Sequence, residues 1–277
     1  MYVQLKALLF TSRPALWWTI GLVFTAGAIA SSAAFDTTFF LFLFLLMVPG
    51  CFVLFGLNDV YDYDSDKQNA RKDSLAGAAL EPKYHDLVLQ VSAGISVFMF
   101  LILLSTRDVF TITTGLILAF LAYAYSVPPL RFSEVPVLDA LSNAGLILCT
   151  ILLGFSLSGS FFEVPTQIYV LGVVVVGMHS FFSLMDYSAD KAASKNTLMI
   201  LIGKRPAMII SLIIVLCCLG YFVLFSFSTP IVVFLSLVSA LFVILTINPS
   251  ESFASQMFWP VLLVGAVCAA FLLVPYV

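Results

Sequence analysis

Nine long runs of apolar residues constrain this sequence more than any other feature. Each run has about 20 residues, which is the length that an α-helix needs to cross the hydrocarbon core of a bilayer. The composition agrees, since 62% of the residues are hydrophobic and 10% are charged, against about 45–50% and about 25% in soluble domains. We therefore predict one all-α transmembrane domain over residues 1–277, a polytopic bundle of about nine helices. The predicted spans are 14–34, 37–57, 86–104, 108–125, 137–158, 165–185, 206–227, 229–247 and 257–275.

The basic residues are divided very unevenly between the two sides of this predicted bundle. The N-terminus and the loops after spans 2, 4, 6 and 8 carry eleven of the twelve Lys and Arg residues, and the opposite side carries only Arg107. The positive-inside rule then places the first side in the cytoplasm and the protein in the cell membrane. Two of these cytoplasmic loops, 58–85 and 186–205, are long and polar, and we expect them to cap a functional site.

Oxygen-bearing side chains recur at helical spacing in residues 58–66, which we call the first Asp motif. If the second span continues past the membrane, Asn58, Asp62 and Asp66 line one helix face. Asp59 lies beside this face, whereas Asp64 points away from it. Clustered carboxylates repel one another unless a cation lies between them, and these ligands suit Mg²⁺, which also binds substrate phosphates. The spacing predicts metal ligands at Asn58, Asp62 and Asp66, with Asp59 next to the substrate.

A second acidic pair follows the end of the sixth span, in residues 186–190, which we call the second Asp motif. Asp186 and Asp190 are spaced i, i+4 at the cytoplasmic end of a helix. We expect both motifs to converge on one pocket and to hold two metal ions across a diphosphate. Arg71, Lys72 and Lys191 lie close to the motifs in sequence and could neutralise the remaining phosphate charge.

Several other polar residues lie within or at the ends of the spans. His179 precedes Asp186 by two helical turns on the same face, and Asp139 and Asn143 form an i, i+4 pair near the start of the fifth span. Ionisable groups at this depth usually face the bundle interior. His179 is either a packed core residue or a base, and Asp139 either a helix cap or a base that takes a proton from the substrate. Arg13 and Arg131 either contact phosphate or anchor helix ends at the headgroups.

The sequence as a whole resembles a known family. Residues 58–66 and 186–190 resemble the two Asp-rich motifs of the UbiA superfamily of membrane prenyltransferases. Residues 12–14 (Ser-Arg-Pro) and 125–131 (Tyr-Ser-Val-Pro-Pro-Leu-Arg) are also similar to that family. The resemblance implies an enzyme that uses Mg²⁺ to ionise an isoprenyl diphosphate and alkylates a lipophilic acceptor, with the long cytoplasmic loops as the active-site cap. It implies no nucleic-acid partner.

The surroundings of three of these segments resemble one branch of the superfamily more closely. Residues 178–183, 138–143 and 56–62 look like the lycopene elongase branch, which makes C50 carotenoids. This resemblance implies a carotenoid acceptor such as lycopene. The predicted spans place no Lys or Arg deep in the membrane, which also favours an apolar acceptor. An aromatic acid, a quinone precursor, a porphyrin alcohol or a glycerol phosphate ether stays open as an alternative acceptor.

Two other functional classes compete with this interpretation. An ion-coupled secondary transporter would usually place its ion ligands near the bilayer midplane on broken helices, whereas these carboxylates lie at the cytoplasmic ends of the spans. A phospholipid-headgroup transferase would also use Mg²⁺ at a membrane surface. Its expected motif contains Asp-Gly and a later Ala-Arg, and the spacing here does not match it.

Overall fold

A computed structural model describes residues 8–67, 73–74, 77–78, 80–226 and 228–273. These residues form helices and their connections, apart from one antiparallel pair of two-residue strands, β1 (Asp73–Ser74) and β2 (Gly77–Ala78). The all-α prediction is therefore confirmed. The helices are α1 (Trp17–Ala30), α2 (Thr37–Leu45), α3 (Cys51–Tyr61), α4 (Tyr63–Asp66), α5 (His85–Ser105), α6 (Val109–Ser126), α7 (Leu138–Phe155), α8 (Thr166–Ala192), α9 (Leu198–Ile202), α10 (Lys204–Leu224), α11 (Thr229–Ile247) and α12 (Glu251–Leu273). Short 3₁₀ turns occupy Pro14–Leu16, Pro82–Tyr84, Phe132–Glu134 and Phe161–Glu163, and a π-helical turn at Leu46–Gly50 joins α2 to α3.

Eight helical stretches in the described part of the chain are long and apolar enough to cross a bilayer. They match predicted spans two to nine. The first predicted span is shorter than expected, because it consists of the turn Pro14–Leu16 and the 14-residue helix α1. The described residues thus contain about nine apolar helices, and the protein is a multi-pass membrane protein. The eight stretches are Thr37–Tyr61, Pro82–Ser105, Val109–Ser126, Leu138–Phe155, Thr166–Ala192, Lys204–Leu224, Thr229–Ile247 and Glu251–Cys268.

The helices α8 and α12 extend by six or seven residues beyond the membrane spans predicted from hydropathy. The helix α8 continues past residue 185 to Ala192, so the second Asp motif is helical throughout. The helix α12 begins at Glu251, six residues before the predicted start. Hydropathy locates the membrane-embedded part of a helix, and polar residues can extend the same helix into the headgroup region without changing that signal.

The chain divides into two compact units, and the division falls inside α7. Unit 1 comprises Met1–Phe132 and Cys149–Val164, and unit 2 comprises Ser133–Leu148 and Pro165–Val277. The first Asp motif belongs to unit 1. The second Asp motif, His179 and Asp139 belong to unit 2.

A close backbone contact between α1 and the C-terminal part of α7 organises unit 1. A Cβ atom on Gly27 would lie 1.9 Å from the carbonyl oxygen of Ile151, and one on Gly154 would lie 2.0 Å from the carbonyl oxygen of Phe24. Only glycine fits at either position. Small residues of this kind allow helices to approach closely in membranes, where packing rather than water exclusion drives association.

Unit 2 is held by an apolar core and by a polar contact at one end of its helices. The helix α10 packs against both α8 and α11, and α12 packs against α8 and α11. Phe181, Phe222 and Phe242 are fully buried in the common core. The Nζ atom of Lys204, at the start of α10, lies 2.6 Å from Oε1 of Glu251, at the start of α12. This ion pair fixes the starts of two helices beside the second Asp motif, because Glu251 also accepts a hydrogen bond from the Ser188 hydroxyl.

Candidate active site

The first Asp motif keeps a helical register across a short break. The helix α3 ends at Tyr61, Asp62 has φ −97° and ψ 8°, and α4 follows. The backbone N–H of Asp62 donates to the Asn58 carbonyl at 2.8 Å, and that of Asp66 donates to the Asp62 carbonyl at 2.9 Å. Hydrogen bonds of the i, i+4 type therefore continue through the motif. Asp62 and Asp66 are both buried, and the Asn58 amide donates to Asp62 Oδ2 at 2.8 Å.

Arg13 binds the first Asp motif from the segment that precedes α1. Its Nη2 lies 2.7 Å from Asp59 Oδ1 and donates to Asn58 Oδ1 at 3.1 Å. Asp59 is fully buried, and the guanidinium also lies 4.3 Å from the centre of the Phe55 ring. The structure thus shows Arg13 bound to two residues of the first Asp motif, a contact that neither of the two predicted roles included. The Asp59 carboxylate faces this arginine.

Arg131, which follows the first Asp motif in the chain by more than 60 residues, also contacts it. Its Nη2 donates to the Tyr61 carbonyl at 2.9 Å and to Asp62 Oδ1 at 3.2 Å. Asp62 thus receives the Asn58 amide on one oxygen and a guanidinium on the other. Arg131 is 30% exposed at its side chain, against 13% for Arg13, so it is the arginine with more room for a further contact.

Asp64 lies away from this network. Its side chain is 89% exposed and pairs with Lys67 at 2.7 Å. The hydrogen bond from Lys67 and the charge of Lys67 hold the pKa of Asp64 below its ordinary value. The predicted phosphate-binding residues Arg71 and Lys72 lie outside the described residues.

The second Asp motif is partly buried and has its own cationic partner. Asp190 Oδ1 lies 3.5 Å from Lys195 Nζ, with side-chain exposures of 15% and 10%. Ser194, at φ 56°, turns the chain after α8 so that the Lys195 N–H reaches the Asp190 carbonyl at 3.0 Å. Lys191 is exposed and lies 5.9 Å from the Tyr187 ring. Lys195 was not among the predicted site residues, because only this left-handed turn brings it back to the motif.

His179 and Asp139 form a buried pair within unit 2. The His179 Nε2 atom lies 3.3 Å from Asp139 Oδ2, and their side chains are 10% and 2% exposed. Asp139 Oδ1 accepts the Ala140 N–H at 2.8 Å, and Oδ2 accepts the Leu198 N–H at 3.4 Å. Asn143, one turn further along α7, is half-buried. The sequence offered His179 separately from the pair Asp139 and Asn143, and the structure joins His179 to Asp139.

The donor set of the first Asp motif suits a hard cation. Among the described residues, no three His, Cys, Asp or Glu side chains form a cluster that could hold a metal ion by themselves. Mg²⁺ does not require such a cluster, because it commonly binds through one or two carboxylates and takes its other ligands from water and substrate phosphates. The carboxylates of Asp62 and Asp66 and the amide oxygen of Asn58 therefore fit Mg²⁺ that also binds a diphosphate.

Comparisons with known proteins agree in family and in fold. The UbiA prenyltransferase family model matches residues 16–259. The chain is 31% identical over 219 residues to a lycopene elongase/hydratase of Corynebacterium glutamicum, covering 78% of this chain and 76% of that protein. It is 30% identical over 209 residues to a lycopene elongase/hydratase of Haloferax volcanii, covering 73% and 67%. The fold is that of a UbiA homolog from Archaeoglobus fulgidus solved with GPP and Mg²⁺, with TM-score 0.65, 19% identity and coverage of 95% and 98%.

Proposed function

Since this chain belongs to the UbiA prenyltransferase family and is a multi-pass membrane prenyltransferase, we propose that it transfers a prenyl group from an isoprenyl diphosphate to a carotenoid such as lycopene. The observation that carries the choice of acceptor is the identity of 31% and 30% to two lycopene elongase/hydratases over 78% and 73% of the chain. The family membership excludes the transporter and headgroup-transferase classes considered above.

The proposed cofactor is Mg²⁺, bound by both Asp motifs. Mg²⁺ would neutralise the negative charge that develops as the diphosphate leaves the allylic carbon. Asn58, Asp62 and Asp66 supply the ligands of the first motif, and Asp186 and Asp190 those of the second. The fit rests on the paired carboxylates at helical spacing in each motif and on the burial of Asp62 and Asp66.

The cationic residues have two different roles in this proposal. Arg13 holds Asn58 and Asp59 in place and so positions the first motif without touching substrate. Arg131, Lys191 and the predicted pair Arg71 and Lys72 bind phosphate oxygens. Arg131 is suited to this because it lies on Asp62, its side chain is 30% exposed, and a planar guanidinium matches the geometry of phosphate oxygens.

An apolar acceptor agrees with the distribution of charge in the helices. A buried carboxylate on an aromatic acid would need a cationic partner, because an unpaired charge is costly away from water. Arg13 is paired with Asp59, and Arg131, which is paired with Asp62, is assigned to the diphosphate in this proposal. A carotenoid has no polar group to pair, and its binding would rest on buried apolar area at about 25 cal/mol per Å². An aromatic or quinone precursor is the alternative acceptor.

The location of the site follows from the same proposal. Residues 1–277 act as one prenyltransferase domain in the cell membrane, with the loops 58–85 and 186–205 in the cytoplasm as the active-site cap. The support is the excess of Lys and Arg on that side of the predicted topology. Reporter fusions at residues 75 and 277 should report opposite sides of the membrane, and finding both on one side would contradict this topology.

The acceptor is tested by direct product analysis. Membranes containing the protein are incubated with Mg²⁺, dimethylallyl diphosphate and either lycopene or 4-hydroxybenzoate, and products are measured by mass spectrometry. We expect one or two five-carbon additions to lycopene and none to 4-hydroxybenzoate. Alkylation of 4-hydroxybenzoate without alkylation of lycopene would overturn the acceptor while leaving the prenyl-transfer class intact. Membranes with Asp186→Ala protein provide the matched blank.

A further inference from the structure

The His179–Asp139 pair has a hydrogen-bonding pattern that fixes which imidazole nitrogen can accept a proton. Asp139 already accepts two backbone N–H groups, one on each carboxylate oxygen. The His179 Nε2, 3.3 Å from this carboxylate, is then assigned the ring proton and donates it to Oδ2. This assignment leaves the lone pair on Nδ1.

The Nδ1 atom of His179 has no hydrogen-bond partner within the described part of the chain, although it is buried. Leaving a buried acceptor without a hydrogen bond is unfavourable. If His179 served only for packing, an apolar side chain of similar size could take its place. Such a side chain would not need the hydrogen bond to the Asp139 carboxylate. An imidazole that is oriented by a carboxylate and has a buried nitrogen lone pair without a hydrogen-bond partner instead has the arrangement of a general base.

Position along α8 separates this base from the diphosphate. His179 precedes Asp186 by seven residues, which is about 10 Å along the helix axis and close to two full turns. It therefore lies on the same helix face as the second Asp motif but deeper in the membrane. An apolar acceptor would also lie on this membrane side of the phosphates, so the base is close to the acceptor and away from the leaving group.

We propose that His179 Nδ1 removes the proton that ends the reaction, with Asp139 as the residue that positions it; this inference rests on the proposed function. The allylic C–O bond breaks and the diphosphate leaves with the electron pair. The acceptor double bond then supplies the pair for the new C–C bond, which leaves a cation on the neighbouring acceptor carbon. His179 takes a proton from the carbon beside that cation, and the C–H electron pair becomes the new double bond.

The imidazolium that forms is stabilised by the Asp139 carboxylate, and its proton passes to water when the product leaves. The same cation has a second possible fate. If no base removes the proton, a water molecule can add to the cation and then lose a proton, which gives a tertiary alcohol instead of an alkene. The pair therefore controls the ratio of alkene to alcohol in the product, and this ratio is independent of how fast the diphosphate leaves.

The test compares three variants in membranes supplied with Mg²⁺, dimethylallyl diphosphate and lycopene. The variants are His179→Gln, Asp139→Asn and the matched control Ser180→Ala, which alters another buried polar residue on α8. Diphosphate release and the two carotenoid products are measured separately. General bases contribute about 10²–10⁴-fold, so we expect His179→Gln to lower the alkene-to-alcohol ratio at least about 100-fold. Asp139→Asn should lower it about tenfold, and Ser180→Ala should keep the wild-type ratio.

Two results would overturn the inference. One is a wild-type product ratio in His179→Gln, whatever the rate, because this would assign proton removal to another group. The other is a changed ratio in Ser180→Ala equal to that in His179→Gln, because this would indicate a general packing effect. If His179→Gln does not accumulate in membranes, Asp139→Asn decides on the same ratio. Failure of the proposed function looks different, since wild-type membranes would then yield no extended carotenoid.

Discussion

The buried ion pair between Arg13 and Asp59 gives a quantitative test of how the first Asp motif is held. Its two atoms are 2.7 Å apart, and the side chains are 13% and 0% exposed. Removing one member of a buried ion pair leaves the other charge buried without its ionic partner, which typically costs about 3–5 kcal/mol. At about 2 °C per kcal/mol for a chain of this size, Arg13→Gln or Asp59→Asn should lower the melting temperature by about 6–10 °C.

The double variant Arg13→Gln/Asp59→Asn separates anchoring from phosphate binding. It removes both charges together, so we expect it to melt within about 4 °C of wild type, well above either single variant. The protein is purified in detergent, its melting is followed by tryptophan fluorescence, and the KM for the prenyl diphosphate is measured alongside. If Arg13 acts as an anchor, recovery of stability should restore the KM as well. A double variant that is stable but keeps a KM raised tenfold or more would refute the anchoring role and assign Arg13 to phosphate.

Three further predictions concern packing, pH and charge. Gly27→Ala should destabilise the detergent-solubilised protein by about 1–3 kcal/mol, because the added Cβ meets a backbone carbonyl. The control Gly94→Ala should not destabilise it, because a Cβ there meets nothing within 4 Å. Equal melting temperatures for the two variants would contradict the close helix contact. The backbone N–H and hydroxyl of Ser160 hold the pKa of Glu163 below its ordinary 4.5, so its contribution is present above pH 4.5 and is lost as the pH falls through the lowered pKa. Glu163→Gln should therefore lose less melting temperature than wild type between pH 7 and pH 3.5, and an identical loss would disprove this. Lys195→Met removes an ammonium from the second Asp motif and should lower the Mg²⁺ concentration for half-maximal activity about two- to fivefold; a rise would contradict the placement of metal there.

The membrane architecture could be predicted from the sequence because the signal is long and redundant. Each of spans two to nine contains enough consecutive apolar residues to identify itself without tertiary information. The helix register of the first Asp motif was also predictable, since Asn58, Asp62 and Asp66 recur every fourth residue and the backbone hydrogen bonds follow that spacing. The family resemblance rested on the same residues, and it is confirmed.

The parts that could not be predicted depend on contacts between residues distant in sequence or on single backbone angles. The Arg13 contact with Asp59 spans 46 positions, and the His179 contact with Asp139 spans 40 positions, so no local pattern signals either. The approach of Lys195 to Asp190 requires a positive φ at Ser194, and serine is not the residue that a left-handed position would suggest. The lysine itself was visible only as one more basic residue in a cytoplasmic loop.

The most direct test of the account is Mg²⁺-dependent five-carbon transfer to lycopene by the wild type, Asp62→Ala and Asp64→Ala. The two aspartates are two residues apart, but Asp62 is buried in the network of Asn58 and Arg131 whereas Asp64 is exposed. Loss of several kcal/mol of charge stabilisation at the leaving diphosphate corresponds to about a 10³-fold loss of turnover. We predict that loss for Asp62→Ala with unchanged membrane accumulation, and wild-type turnover within about threefold for Asp64→Ala. Near-normal transfer by Asp62→Ala would contradict the role of the first Asp motif in the reaction.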